Sequence, residues 1–191
     1  VVYQMDYDLL KTFDLGTKPL KGFPEQKKLK SYIPRLADLI DSVQQYSKDK
    51  KQMFYNIETK CSPAGDNVSN PEPERFVKLL MDVIENKGIS PYVVIQSFDK
   101  RTLQVLHQKY PKIKTSYLIA NTKTFEENIA DLGFNPFILS PEYKLVDKNL
   151  VQKCHDANVK IIPWTANTKE DISKLKLLNV DGIISDYPNL L

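Results

Sequence analysis

The chain has 191 residues, of which 41% are hydrophobic and 27% charged, and carries a formal net charge of +3. That is enough apolar material for one sizeable core, so a single domain over residues 1–191 is expected. The mild charge, with no basic stripe of interleaved aromatics, argues against a nucleic-acid partner, and no apolar run nears the roughly 20 residues of a membrane helix.

Residues 1–33 read as an irregular lead-in, broken by Gly16, Pro19, Gly22 and Pro24. Pro34 opens a helix through Arg35 to Val43, with Leu36, Leu39, Ile40 and Val43 at helical spacing. Lys48-Asp49-Lys50-Lys51 is a solvated turn. Met53 to Glu58 is a strand, followed by a loop from Cys61 to Pro73 rich in Ser, Pro, Asn and Gly. Glu74 to Lys87 is a helix that stops at Gly88. The alternation then repeats. Strands are predicted at Tyr92 to Gln96, Lys114 to Ile119, Phe137 to Leu139, Val159 to Trp164 and Gly182 to Ser185. Helices are predicted at Lys100 to Lys109, Thr124 to Leu132, Asp147 to Ala157 and Lys169 to Leu178.

Strand–helix–strand units repeated in this way belong to a parallel α/β fold. A complete eight-fold barrel takes about 250 residues, and this chain is about 60 short of that, the length of about two βα units. Six of eight strands are therefore expected. The competing open, doubly wound sheet would show a glycine-rich phosphate turn, and none of the six glycines forms one.

Functional groups in such folds gather past the C-terminal strand ends. Asn56-Ile57-Glu58-Thr59-Lys60 is the key segment. Glu58 and Lys60 share a face, because strand side chains alternate with period two. A carboxylate there suits a hard divalent cation, and a neighbouring ammonium suits an anionic oxygen; a salt-bridged pair at a strand end is the plain structural alternative. Gln96-Ser97-Phe98-Asp99 ends the next strand, where Asp99 is expected to cap the following helix. Trp164, the only tryptophan, either packs at the rim or walls a pocket. Asn167 and Asp186 stand at the last strand ends.

Cys61 and Cys154 form no CxxC pair, which excludes a disulfide scaffold or metal knuckle. Cys154 reads as a half-buried helix thiol. Cys61 has no histidine near it in sequence. Asn67-Val68-Ser69 is a weak sign of secretion.

Four segments in order, Tyr55-Asn56-Ile57-Glu58-Thr59-Lys60, Ile95-Gln96-Ser97-Phe98-Asp99, Pro163-Trp164-Thr165-Ala166-Asn167 and Val180 to Pro188, resemble the glycerophosphodiester phosphodiesterase family. Ile33 to Leu39 matches the family's lead-in to its second helix. The resemblance implies a TIM-type (β/α)8 barrel, here without strands one and two. It also implies hydrolysis of glycerophosphodiesters to an alcohol and glycerol 3-phosphate, with a divalent ion, Ca2+ or Mg2+. By the same resemblance Glu58 is a metal ligand, Lys60 approaches the phosphate, and Gln96, Ser97, Phe98 and Trp164 line the substrate-binding mouth.

The chain departs from that pattern in its acid–base groups. The family's His-Arg-Gly, Glu-x-Asp and His-Asp motifs are not in it, and its two histidines, His107 and His155, fall inside predicted helices. The resemblance therefore covers the part of the family that follows the second strand. The chain alone is expected to bind metal weakly, to be inactive, and to leave sheet edges that an association would cover. A non-catalytic barrel, or a related phospholipase acting on lysolipids or sphingolipids, are the alternative readings. An extracytoplasmic bacterial setting, periplasmic or secreted, is the expected location.

Overall fold

A computed structural model describes residues 1–191. The chain parts into two compact units, residues 1–53 with 62–89, and residues 54–61 with 90–191.

In the first unit, the stretch predicted to be irregular contains a 3-10 turn, Val2–Gln4, and a short helix, α1 (Tyr7–Leu10). A loop then folds back so that the Leu15 amide donates to the Ser31 carbonyl and the Leu29 amide to the Gly16 carbonyl. A Cβ on Gly16 would lie 1.7 Å from the Leu29 carbonyl oxygen, so only glycine fits this close approach. Asp14 pins the loop by accepting from the Thr17 hydroxyl and the Gly16 amide, which hold its carboxyl down at about 2. Helix α2 (Leu36–Ser47) runs further than predicted and buries Ile40 fully. Helix α3 (Pro73–Asn86) starts on a proline whose missing N–H costs nothing at a first turn. It buries Val77, Leu80, Met81 and Ile84, the one-sided stripe of a 3.6-residue period. Lys87 just beyond it pairs with Asp41 of α2 at 2.6 Å.

The second unit carries the sheet: β1 (Tyr55–Glu58), β2 (Val93–Ser97), β3 (Lys114–Ile119), β4 (Ile138–Pro141) and β5 (Lys160–Ile161). All neighbours are parallel, and the spatial order is β1-β2-β3-β4-β5. An order that never reverses, joined by right-handed crossovers, puts the connecting helices on one face; this is barrel winding, and it has no switch point of the doubly wound kind. Those helices are α4 (Lys100–Lys109), α5 (Phe125–Leu132), α6 (Lys148–Asp156) and α7 (Lys169–Leu177).

The α4, α5 and α6 helices bury Leu103, Leu106, Leu132 and Val151, and the sheet residues Val93, Ile95, Leu139 and Ile161 are buried with them. Each such side chain contributes about 1.5–3 kcal/mol of transfer free energy. Cys154 on α6 is fully buried, deeper than its half-buried expectation, and burial pushes its thiol up to about 12. Thr124 and Glu127 close a reciprocal capping box at the start of α5, and Gly133, at φ 90°, ends it in the left-handed region.

Two sequence expectations fail here for one reason. The predicted strand Val159 to Trp164 is regular only over Lys160–Ile161, and Gly182 to Ser185 forms no sixth strand. Residues 181–184 do run alongside: the Asp181 amide donates to Ile161 and the Ile184 amide to Pro163. One return bond forms, from the Ala166 amide to the Ile184 carbonyl, but the two donors before it are missing. The Ile161 N–H is taken by the Asp181 carboxylate at 2.8 Å, and Pro163 has no N–H to give.

No helix is long and apolar enough to cross a membrane.

Candidate active site

Register decides which side chains share the face opposite the helices. Glu58 pairs with Gln96, Gln96 with Ser116, Ser116 with Ile138, and Ile138 with Lys160. Partners in a parallel ladder point the same way, and alternation adds Asn56, Lys60, Phe98, Ser140 and Trp164 to this face. The face is concave. Strands are about 4.8 Å apart, so β2 and β5 would be about 14 Å apart in a flat sheet. Yet the Phe98 and Trp164 rings, carried at those two strands' ends, meet edge-to-face with centroids 5.3 Å apart. The mouth of the curled sheet is therefore narrow and partly aromatic.

At one side of the mouth, Lys60 Nζ lies 2.9 Å from Glu58 Oε1; the Lys60 side chain is 80% exposed and that of Glu58 21%. An exposed pair of this kind contributes about 0–1 kcal/mol, so it orients the ammonium without locking it away from an incoming anion. Asn56 donates to Gln96 Oε1 at 2.9 Å and aligns that amide beside Glu58. Thr59, between the two charged residues, points the other way. It is buried, meets the Thr102 hydroxyl at 2.8 Å, and its amide donates to Gln96. It anchors the strand end that presents Glu58 and Lys60.

Ser97, expected among the substrate-binding residues, sits on that same anchoring side. Its side chain is fully buried, its hydroxyl donates to the Thr59 carbonyl at 2.8 Å, and it accepts from the Asp99 amide at 3.1 Å. Both hydroxyl functions are committed to the fold, so Ser97 presents no group to the mouth. Its neighbours Gln96 and Phe98 do face it.

Asp99 caps α4 as the sequence indicated, accepting from the Arg101 amide at 3.0 Å and from the Arg101 guanidinium at 2.6 Å. Burial works against its charge, but these Arg101 bonds prevail and hold the carboxyl below the usual range. Cys61 Sγ lies 3.6 Å from Asp99 Oδ2; burial first, then that carboxylate, pushes the thiol up to about 11. A thiol this reluctant to ionise is no nucleophile at neutral pH. His107 of α4 stacks on Phe134, and His155 of α6 meets Asp181 at 3.1 Å. Neither is at the mouth.

At the other side, the Trp164 indole Nε1 donates to the Ser140 carbonyl at 2.8 Å and so fixes the ring. Asn167 and Asp186, far apart in sequence, meet through a side-chain bond of 2.8 Å and a return bond from the Asp186 amide of 2.9 Å. One mouth residue escaped the sequence reading. Glu142 is the register partner of Trp164 and continues the Ile138, Ser140 alternation past the end of β4. The signal was Ser140-Pro141-Glu142 itself, a period-two continuation beyond a strand predicted to end at Leu139.

No group of three or more His, Cys, Asp or Glu side chains converges in the chain. A hard divalent ion takes six or more oxygens, so Glu58 alone does not make a site for one.

Comparison with known proteins follows the same lines. Residues 1–190 match the sequence profile of the glycerophosphoryl diester phosphodiesterase family. The chain belongs to this family. It is 27% identical over 182 residues to a glycerophosphodiester phosphodiesterase of Caldanaerobacter subterraneus, covering 95% of this chain and 68% of the relative. It is 27% identical over 191 residues to one of Bacillus subtilis, covering 95% of this chain and 61% of that protein. The chain thus spans about two thirds of the length of these relatives. Among solved structures, a phosphodiesterase of this family from Silicibacter pomeroyi superposes with a TM-score of 0.85 at 26% identity, over 99% of this chain and 67% of its own. An Oleispira antarctica phosphodiesterase in complex with its product sn-glycerol-3-phosphate superposes with a TM-score of 0.78 at 21% identity, over 98% and 69%. The family and its structures are TIM-type barrels, which agrees with the unreversed strand order of this sheet.

Proposed function

We propose that the chain supplies the phosphate-facing part of a phosphodiesterase site that hydrolyses glycerophosphodiesters to an alcohol and glycerol 3-phosphate. The observation that carries this is the Glu58–Lys60 pair, presented on the concave face beside Gln96 and opposite the Phe98–Trp164 rings. Family membership and the Oleispira neighbour's product complex support it.

The work assigned to each group follows from its chemistry. Lys60 swings from Glu58 to a non-bridging phosphate oxygen and offsets the charge that grows there in the transition state. Gln96, held by Asn56, offers its amide to the glycerol or phosphate oxygens. Phe98 and Trp164 wall the substrate and exclude water from one flank. Ser97 acts only by keeping the β1 and β2 ends together. In this reading Glu58 gives one carboxylate to a Ca2+ or Mg2+ shell. The residues present do not complete that shell. Proton transfer falls to groups beyond these 191 residues, since both histidines are engaged on helices. The chain alone is then inactive, and a covering association at the β1 edge belongs to the same proposal.

Two measurements on the 191-residue chain test it. Calorimetric binding of sn-glycerol 3-phosphate is expected, with Lys60→Ala weakening it by about tenfold or more, the loss of one charge-assisted bond. Unchanged affinity in Lys60→Ala would sink the assignment. Release of glycerol 3-phosphate from glycerophosphocholine, with Ca2+, Mg2+ or chelator, is expected to be nil. Turnover that His107→Ala or His155→Ala abolishes would return the histidines to the mechanism.

A further inference from the structure

Residues 17–30 concentrate the charge of the chain. They hold five lysines, Lys18, Lys21, Lys27, Lys28 and Lys30, against one acid, Glu25, a formal +4 where the whole chain carries +3. All five lysines are exposed, and none of their ammonium groups has an ion-pair or hydrogen-bond partner. The two leucines of the segment stand among them, Leu20 between Lys18 and Lys21, and Leu29 directly between Lys28 and Lys30. These leucines are 52% and 67% exposed.

The segment is held as a loop with its ends together. The Leu15 and Leu29 amides tie one end to the other, and the close approach at Gly16 admits no side chain there. Asp14 accepts from the Thr17 hydroxyl where the loop begins. Within the loop, the Phe23 amide donates to the Leu20 carbonyl and the Gln26 amide to the Phe23 carbonyl. A groove lined by Lys18, Leu20, Lys21, Phe23, Pro24 and Lys28 runs along it. A loop closed on itself in this way is a compact surface feature. Being ordered already, it gives up little conformational freedom when it docks.

Exposed leucines flanked by unpaired lysines suit one kind of partner. Bare aliphatic surface gains by leaving water, and ammonium groups gain by meeting negative charge. A nucleic acid would supply the charge but no apolar layer, and its bases stack on aromatic rings, not on leucines. An anionic bilayer supplies both, with phosphates at the surface and acyl chains just below. Lysine stems lie along that apolar boundary while their charged ends stay among the head groups.

We propose that residues 17–30 are a docking surface for an anionic phospholipid bilayer, with Leu20 and Leu29 entering the interface and the lysines meeting lipid phosphates. The docking is peripheral and spans nothing. It does not rest on the phosphodiesterase reading, since no group assigned to the substrate phosphate takes part.

The test sediments the 191-residue chain with vesicles of phosphatidylcholine alone and of phosphatidylcholine mixed with phosphatidylglycerol. Binding to the mixed vesicles is expected, and is expected to fall as salt rises, because the attraction reaches only about 10 Å at 0.1 M ionic strength. Each lysine near such a surface strengthens binding about fivefold. Phosphatidylcholine alone is therefore expected to bind more than about tenfold more weakly, and Lys18→Gln with Lys21→Gln to weaken binding to the mixed vesicles about 25-fold. Leu20→Ser is expected to weaken it about tenfold or more, the loss of one aliphatic side chain from the apolar layer. Both variants change exposed side chains and are expected to melt as the parent does. Equal binding to the two kinds of vesicle, or an affinity indifferent to the lysine pair, would overturn the proposal. An affinity indifferent to Leu20→Ser would also overturn it, and would leave only a patch that attracts polyanions. Lys60→Ala is expected to bind the vesicles as the parent does, so this proposal and the phosphate-site assignment fail separately.

Discussion

Ser97→Ala separates a structural hydroxyl from a ligand-binding one. In the fold, that hydroxyl is the donor to the buried Thr59 carbonyl and the acceptor for the Asp99 amide at the start of α4. Alanine leaves the buried carbonyl with only the long, weak bond from the Cys61 thiol at 3.9 Å, which costs about 1–3 kcal/mol, and removes a second bond at a part-buried amide that water partly replaces, about 0.5–1 kcal/mol. The sum is about 1.5–4 kcal/mol. For a chain of this length each kcal/mol lowers the melting temperature by about 2–4 °C, so a fall of about 3–16 °C is expected by circular dichroism. Glycerol 3-phosphate affinity, measured well below the melt, is expected to move by less than about twofold. A melting temperature within about 1 °C of the parent, with a tenfold or greater loss of affinity, would refute the reasoning. It would mean that the hydroxyl faces the ligand and that the anchoring bonds are dispensable.

Other consequences are as open to test. Cys61, raised to about 11 from an ordinary 9.0, carries about a hundredfold less thiolate at pH 8 than an unshifted thiol. Its alkylation is expected to be slower by that factor, and a rate like that of free cysteine would show the site to be open. The raised folded-state values of Cys61 and Cys154 also stabilise the fold fully below pH 9, the unfolded value, and this contribution is lost as pH rises toward 11 and 12. Denaturant melts across that range are expected to show falling stability, with a shallower fall in Cys154→Ala. Thr124→Ala opens the capping box of α5 and is expected to cost about 1 kcal/mol, a melting shift of about 2–4 °C, whereas no shift would mean that the cap is frayed in solution.

The positions and kinds of most elements were legible in the sequence because their causes are local. Lys100–Lys109 and Lys114–Ile119 fall where apolar period and flanking turns place them. The Asp99 cap and the Gly133 stop follow from side-chain and backbone chemistry within a few residues. Alternation alone put Glu58 and Lys60 on one face. The same rule sets Ser97 apart from Gln96 and Phe98, yet the motif read as a block grouped all three. Other features needed the third dimension. Register between strands, a matter of non-local pairing, set Glu142 beside Trp164. Sheet curvature brought Phe98 from β2 to the Trp164 ring beyond β5. Pro163 was visible from the start, but only the pairing shows that its missing N–H falls on the edge where a sixth strand would have joined. Local chemistry determined the elements and one charged pair; the packing of distant segments decided which other side chains share the mouth with it.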